Sequence, residues 1–235
     1  MQAKSLFFHS FFQKGKAIPW LLPIFLWASL QASPKSDPLR FVKDFEKFAE
    51  LDKANPPPTK NLTLFTGSST IRRWNTLPKD FPEIPVLNRG FGGSQLNQVL
   101  HHFDDLFPRY KPVRIVLYCG ENDLWDGKTV EKALTEFTTL VTRIRKVLPN
   151  TPLIYLSCKP SPKRMSKWKT YQELNGKIRT HCEKDQLLTF VDLSTILLGP
   201  DGKPAPGIWD KDDLHVNQAG YDRMTKLLAP LLSPK

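Results

Sequence analysis

The chain has 235 residues, 40% of them hydrophobic and 24% charged, which is enough for one α/β domain with a real core. Its formal net charge of +11 would suit an anionic partner, but Lys and Arg are spread along the chain without a nucleic-acid motif, so no nucleic-acid partner is expected. Three cysteines, Cys119, Cys158 and Cys182, lack C-x-x-C spacing, which argues against a disulfide framework and a zinc site.

Residues 1–32 read as a signal peptide. Lys4, Lys14 and Lys16 precede an apolar run from Ala17 to Leu30, and Leu-Gln-Ala stands before Ser33. At about 14 residues the run is short for a bilayer span, which needs about 20. Cleavage after Ala32 is therefore expected, with an exported, periplasmic or secreted product. The alternative is an uncleaved membrane anchor. Removal of the three lysines takes the charge from +11 to +8. No stable membrane span is expected after cleavage.

Residues 33–60 hold a rough helical stripe, Phe41, Phe45, Phe48, Ala49 and Leu51, stopped by Pro56-Pro57-Pro58. They read as a docking helix and a rigid linker. From residue 61 to 235 short β-rich runs alternate with longer helical segments. The expected strands are 62–66, 85–88, 113–118, 152–157 and 187–192. One helix follows Ser94 as N-cap, with Leu96, Val99, Leu100, Phe103, Leu106 and Phe107 in register. Another carries Val130, Ala133, Leu134, Phe137, Leu140, Val141, Ile144, Val147 and Leu148 on one face. A last helix holds Ala219, Met224, Leu227 and Leu228. Such alternation implies a parallel sheet covered on both faces, with ligands bound beyond the carboxyl ends of the strands.

The loops after those strands carry the candidate chemistry. The first strand ends in Gly67-Ser68-Ser69, where a serine at a strand-to-helix turn can project its hydroxyl into the crevice or simply cap the helix. Gly90-Phe91-Gly92-Gly93-Ser94 can bring backbone N–H donors to a ligand or form a plain turn. Cys119-Gly120-Glu121-Asn122-Asp123 offers an amide donor or an Asx turn. Near the C-terminus, Asp212 precedes His215 by three residues, a spacing that can fix the imidazole tautomer and leave Nε2 free as a base. His101 with Asp105 could be a metal pair, but two ligands on one helix make no site, and both read as surface residues. The basic segment Lys159 to Lys169 reads as a wet loop, with contact to an anionic substrate as the alternative. If the strands ending at Cys119 and Cys158 are neighbours, one disulfide is conceivable, although buried free thiols are commoner.

Taken in order, GSS at 67–69, GFGGS at 90–94, GEND at 120–123 and DDLH at 212–215 resemble the blocks of the SGNH hydrolases, or GDSL-type esterases. The likeness covers roughly residues 56–232. It implies a three-layer α/β/α, flavodoxin-like fold with a five-stranded parallel sheet in the order 2-1-3-4-5. It further implies a serine esterase with Ser69 as nucleophile, Asp212 and His215 completing a triad, and an oxyanion hole from Ser69, Gly93 and Asn122. Neither cofactor nor metal is implied. The block sequence is most similar to bacterial relatives of platelet-activating-factor acetylhydrolase and of carbohydrate acetylesterases, so the expected substrate is a short-chain, acetyl ester on a small molecule or carbohydrate. An inactive carbohydrate-binding protein and an acyltransferase to a sugar hydroxyl are the alternatives. Ser68 stands where the family usually has Asp.

Overall fold

Five parallel strands form the centre of the molecule, in the spatial order β2-β1-β3-β4-β5. They are β1 (Thr63–Gly67), β2 (Val86–Gly90), β3 (Arg114–Tyr118), β4 (Leu153–Leu156) and β5 (Leu188–Val191). The computed structural model describes residues 34–233, so the signal-peptide reading of residues 1–32 lies outside the described residues. No helix among the described residues is long and apolar enough to cross a membrane.

The strands are continuous apolar runs because both faces are buried, and alternate side chains serve opposite layers. Leu64, Ile115, Leu117, Leu153, Tyr155 and Leu188 point to one core. Their neighbours Phe65, Val116, Tyr118, Ile154, Leu156 and Val191 point to the other. The first core is closed by α1 (Val42–Ala54), α4 (Leu96–His101), α5 (Phe103–Tyr110), α7 (Val130–Val147) and α8 (Trp168–Cys182). The second is closed by α2 (Ser69–Arg72), α3 (Leu77–Asp80), α9 (Ser194–Leu197) and α10 (Gln218–Leu232). A short α6 (Glu121–Trp125) follows β3. The three-layer architecture and strand order agree with expectation.

One local expectation needs correction here. The segment after Ser94 is not one helix capped by that serine. Gln95 occupies the cap, its side chain and that of Gln98 forming a reciprocal box, and the helix breaks at His102 into α4 and α5. His102 leaves the helical track to stack on Phe45 of α1, with ring centroids 3.8 Å apart and planes 9° from parallel. It is this buried histidine, rather than His101, that meets Asp105, at 3.2 Å. Among the described residues no cluster of His, Cys, Asp or Glu could hold a metal. Cys119 and Cys158 lie on neighbouring strand ends, yet both are free and buried, as is Cys182. Burial pushes the Cys182 thiol up to about 11.

Candidate active site

The carboxyl ends of β1, β2 and β3 abut, since Gly67 pairs with Gly90 on one side and Tyr118 on the other. Gly67 has φ +106, and a Cβ there would lie 2.1 Å from the Tyr118 carbonyl oxygen. Only glycine turns the chain so tightly at that point. Ser68 then occupies the cap of α2 and Ser69 its first position. Ser69 therefore lies inside the helix rather than at its cap, and Ser68, at the cap position, makes no side-chain capping bond; the Ser69 hydroxyl is free for another partner.

That partner is His215, whose Nε2 lies 2.8 Å from Ser69 Oγ. Its Nδ1 is 2.6 Å from Asp212 Oδ2. The turn that presents them is tightly built. Asp212 Oδ1 accepts the N–H groups of Leu214 at 3.0 Å and His215 at 2.9 Å. Asp213 adopts a left-handed φ of +55, and Asp210 N–H donates to the His215 carbonyl at 2.7 Å. Asn217 starts α10 and donates to the Gly207 and Trp209 carbonyls at 3.0 and 3.1 Å. Tyr221 ties α10 to the serine turn through the Thr70 carbonyl at 2.9 Å. Of the three nearby aspartates, Asp212 alone reaches the imidazole, while Asp210 pairs with Arg73 at 3.2 Å.

Burial alone would raise the Asp212 carboxyl, but hydrogen bonds from the His215 N–H, its ring and the Leu214 N–H outweigh it and hold the group ionised far below the usual carboxylate range. Burial lowers the His215 pKa below its ordinary 6.5; Asp212 opposes this, and the charges of Lys159 and Arg73 reinforce it. The ring is therefore neutral at neutral pH. A neutral imidazole, oriented by a carboxylate and within hydrogen-bond reach of a hydroxyl, can take the proton of an attacking oxygen.

Asn122, 8% exposed, stands beside this chain. Its Nδ2 donates to Ser68 Oγ at 2.6 Å and to the Ser94 carbonyl at 3.1 Å. Gly93, φ +83, directly precedes the Ser94 carbonyl that Asn122 holds, and its N–H makes no backbone bond to another described residue. The structure thus brings together Ser69, His215, Asp212, Asn122 and the glycine loop, and the Ser68 hydroxyl, at the position where the family usually has Asp, accepts the Asn122 amide N–H.

Sequence reasoning missed what stands behind Asn122. Arg164 Nη1 donates to Asn122 Oδ1 at 3.0 Å and to Glu121 Oε1 at 2.9 Å. Lys159 Nζ lies 2.7 Å from Glu121 Oε2, where the Tyr118 hydroxyl also bonds. Glu121, Lys159 and Arg164 are 2%, 1% and 9% exposed. The expectation of a wet loop over Lys159–Lys169 is therefore wrong for these two cations, although Lys163 and Lys169 do face solvent. Burial would raise the Glu121 carboxyl, but Lys159 and Arg164 overcome it and keep the group ionised. Asp123 plays a parallel part. Its carboxylate accepts the Leu96 N–H at 3.0 Å and pairs with Lys128 at 2.6 Å, binding the loop after β3 to the start of α4. The only signal in the sequence was an acid between a glycine and an asparagine at a strand end; its partners lie about forty residues away in the chain.

No curated protein matches the chain. Solved structures share its fold. A protein of Streptococcus pneumonia named for platelet activating factor matches with TM-score 0.71 and 22% identity, covering 82% of this chain and 92% of its own. A GDSL-like lipase from Bacteroides thetaiotaomicron matches with TM-score 0.70 and 20% identity, covering 80% and 97%. An acetylxylan esterase from Geobacillus stearothermophilus matches with TM-score 0.61 and 14% identity, covering 75% and 96%. The model of the GDSL-like lipase/acylhydrolase family matches residues 62–223, and the chain belongs to that family of ester hydrolases.

Proposed function

We propose that the protein is a serine esterase that removes short acyl groups, chiefly acetyl, from small-molecule or carbohydrate esters. The observation that carries this reading is the unbroken chain from Asp212 through His215 to Ser69, with contacts of 2.6 and 2.8 Å. His215 Nε2 accepts the Ser69 proton as Oγ attacks the ester carbonyl. The oxyanion is met by the N–H groups of Ser69 and Gly93 and by Asn122 Nδ2. The imidazolium returns its proton to the departing alcohol, leaving an acyl-serine. Water, deprotonated by the same imidazole, then releases the acid and restores Ser69. No step needs a metal or cofactor.

Asn122 can serve the oxyanion only by sharing the N–H that it gives to Ser68. The Ser68 hydroxyl is neutral, so it competes less strongly than a carboxylate would. Arg164 fixes the other end of the amide: its donor contact to Oδ1 admits only the orientation with Nδ2 toward the serine. It acts as a positioning residue.

The acetyl and carbohydrate assignment is supported by the shared fold of the Geobacillus stearothermophilus acetylxylan esterase. A signal peptide over residues 1–32, a docking segment over 33–60 and a hydrolase domain over 61–235 would place the enzyme outside the cytoplasm, where esterified polysaccharides occur.

Ser69→Ala is expected to lower kcat on 4-nitrophenyl acetate by at least about 10³-fold, and wild-type protein to release acetate from acetylated polysaccharides faster than longer acids from matched esters. Full turnover by the alanine variant would refute the nucleophile. Because the His215 pKa is lowered, its basic form persists below pH 6.5. The plot of kcat/KM against pH should therefore rise through a midpoint under 6.5 and then level off; a midpoint at or above about 7 contradicts the assigned base. Arg164→Met should lower kcat by about tenfold or more while KM changes far less, since an oxyanion donor is worth about 10²–10³. Arg164→Lys keeps a cation beside Glu121 but gives up the planar donor that fixes Asn122 Oδ1, so its thermal stability should recover relative to Arg164→Met while kcat stays low. Recovery of kcat with stability would reduce Arg164 to a structural role.

A further inference from the structure

Two guanidinium groups lie on the glycine loop of the site. Arg72 ends α2, one helical turn beyond Ser69, and a Cβ placed on Gly92 would stand 2.4 Å from its Nε and 2.7 Å from its Cζ. Arg40 approaches the next residue, where a Cβ on Gly93 would stand 3.2 Å from Nη2. The space that two side chains would fill is thus given to two cations. Both arginines are exposed to solvent.

The backbone that delivers Arg40 is pinned beside the site. Gln98 Nε2 donates to the carbonyls of Lys35 at 2.9 Å and Asp37 at 2.8 Å, and Asn97 Nδ2 donates to that of Ser36 at 2.9 Å. The next residue, Phe41, is 4% exposed and packs edge-on against Phe91, with centroids 4.9 Å apart. Arg40 itself donates to the Lys35 carbonyl at 3.4 Å and lies over the Phe41 ring. Neither Arg40 nor Arg72 has a carboxylate partner among the described residues. Arg73, on the other flank of Ser69, is by contrast matched to Asp210 and Asp212 at 3.2 and 3.3 Å. The acids nearest in sequence to the pinned segment and to α6 are engaged: Asp37 caps the Leu39 N–H at 2.9 Å, and Asp126 holds Lys35 at 3.1 Å and Gln95 at 3.0 Å.

Planar guanidinium groups suit carboxylate and phosphate oxygens, and two of them on one rim give a local positive field that steers anions. Resting on the esterase reading above, we propose that Arg40 and Arg72 bind an anionic group of the substrate, a carboxylate or a phosphate, so that the enzyme selects acidic esters over neutral ones. The glycines at 92 and 93 are then part of selectivity, because a side chain at either would press on a guanidinium.

The test compares kcat/KM for phenyl acetate, 4-acetoxybenzoate and 4-acetoxyphenyl phosphate in wild-type protein and in Arg40→Gln/Arg72→Gln. The ratio of anionic to neutral ester, taken within each protein, is the readout. It should fall by at least about fivefold in the variant. A fall for one anion alone tells carboxylate from phosphate recognition. In wild-type protein the same ratio should fall as salt is raised from about 20 mM to about 300 mM, since exposed charges are screened; this arm does not depend on the variant folding. Phenyl acetate turnover with a ratio unchanged by substitution or by salt overturns the charge selection and leaves the esterase reading intact. Failure to turn over any of the three esters overturns both.

Discussion

The buried carboxylate of Glu121 is the constraint around which the site is arranged. An ionised acid removed from water costs several kcal/mol unless it is fully paired, and here the pairs come from a different loop. Lys159 and Arg164 follow β4, whereas Glu121 follows β3. Satisfying one charge thereby fixes the two loops against each other, and the same Arg164 Nη1 that meets Glu121 also fixes the Asn122 amide. Asp123, the next residue but one, repeats the device toward the start of α4. The loop after β3 is thus clamped on both sides by buried ion pairs, Glu121 with Lys159 and Arg164, and Asp123 with Lys128. Such pairs add little net stability over a packed apolar core, but they penalise every other arrangement of the loops.

A second constraint is the parallel sheet. Its strands end on one edge, so the serine turn, the glycine loop and the amide reach one place from positions 69, 93 and 122. His215 arrives from far along the chain, and it is held by packing rather than by the sheet: Tyr221 stacks on Trp74 with centroids 5.0 Å apart, joining α10 to the segment after the serine. The site that results is electrically lopsided. Arg73 is paired with two aspartates, and Lys159 and Arg164 share one glutamate, while Arg40 and Arg72 are left to solvent on the glycine side.

Much of this was legible in the sequence because burial on both faces leaves a plain mark. The runs at 113–118 and 152–157 could hardly be anything but inner strands, and the long apolar face from Val130 to Leu148 became α7 within a residue. The strand order came from the resemblance, not from periodicity. The D-x-x-H spacing is local, so the contact of Asp212 with His215 could be foreseen from three residues. What escaped notice was long-range. A run of cations after a strand looks the same whether it is wet or buried, since the partner of Arg164 lies 43 positions earlier. The cap at Gln95 was missed because a serine one residue ahead is the better capping type; tertiary bonding of Ser94 to Asn122 and Cys119 decided otherwise. Arg40 gave no sign at all, as its place over Gly93 depends on backbone carbonyls held by Gln98 and Asn97.

The central claim is that His215 and Asp212 activate the Ser69 hydroxyl. Intact-protein and peptide mass spectrometry after treatment with a fluorophosphonate tests it most directly, because an unactivated serine does not attack phosphorus at a useful rate. The account predicts one phosphonyl group per chain, located on Ser69, and its loss in His215→Ala protein that retains the wild-type fold. An unmodified Ser69, or a label there that survives removal of His215, would contradict it.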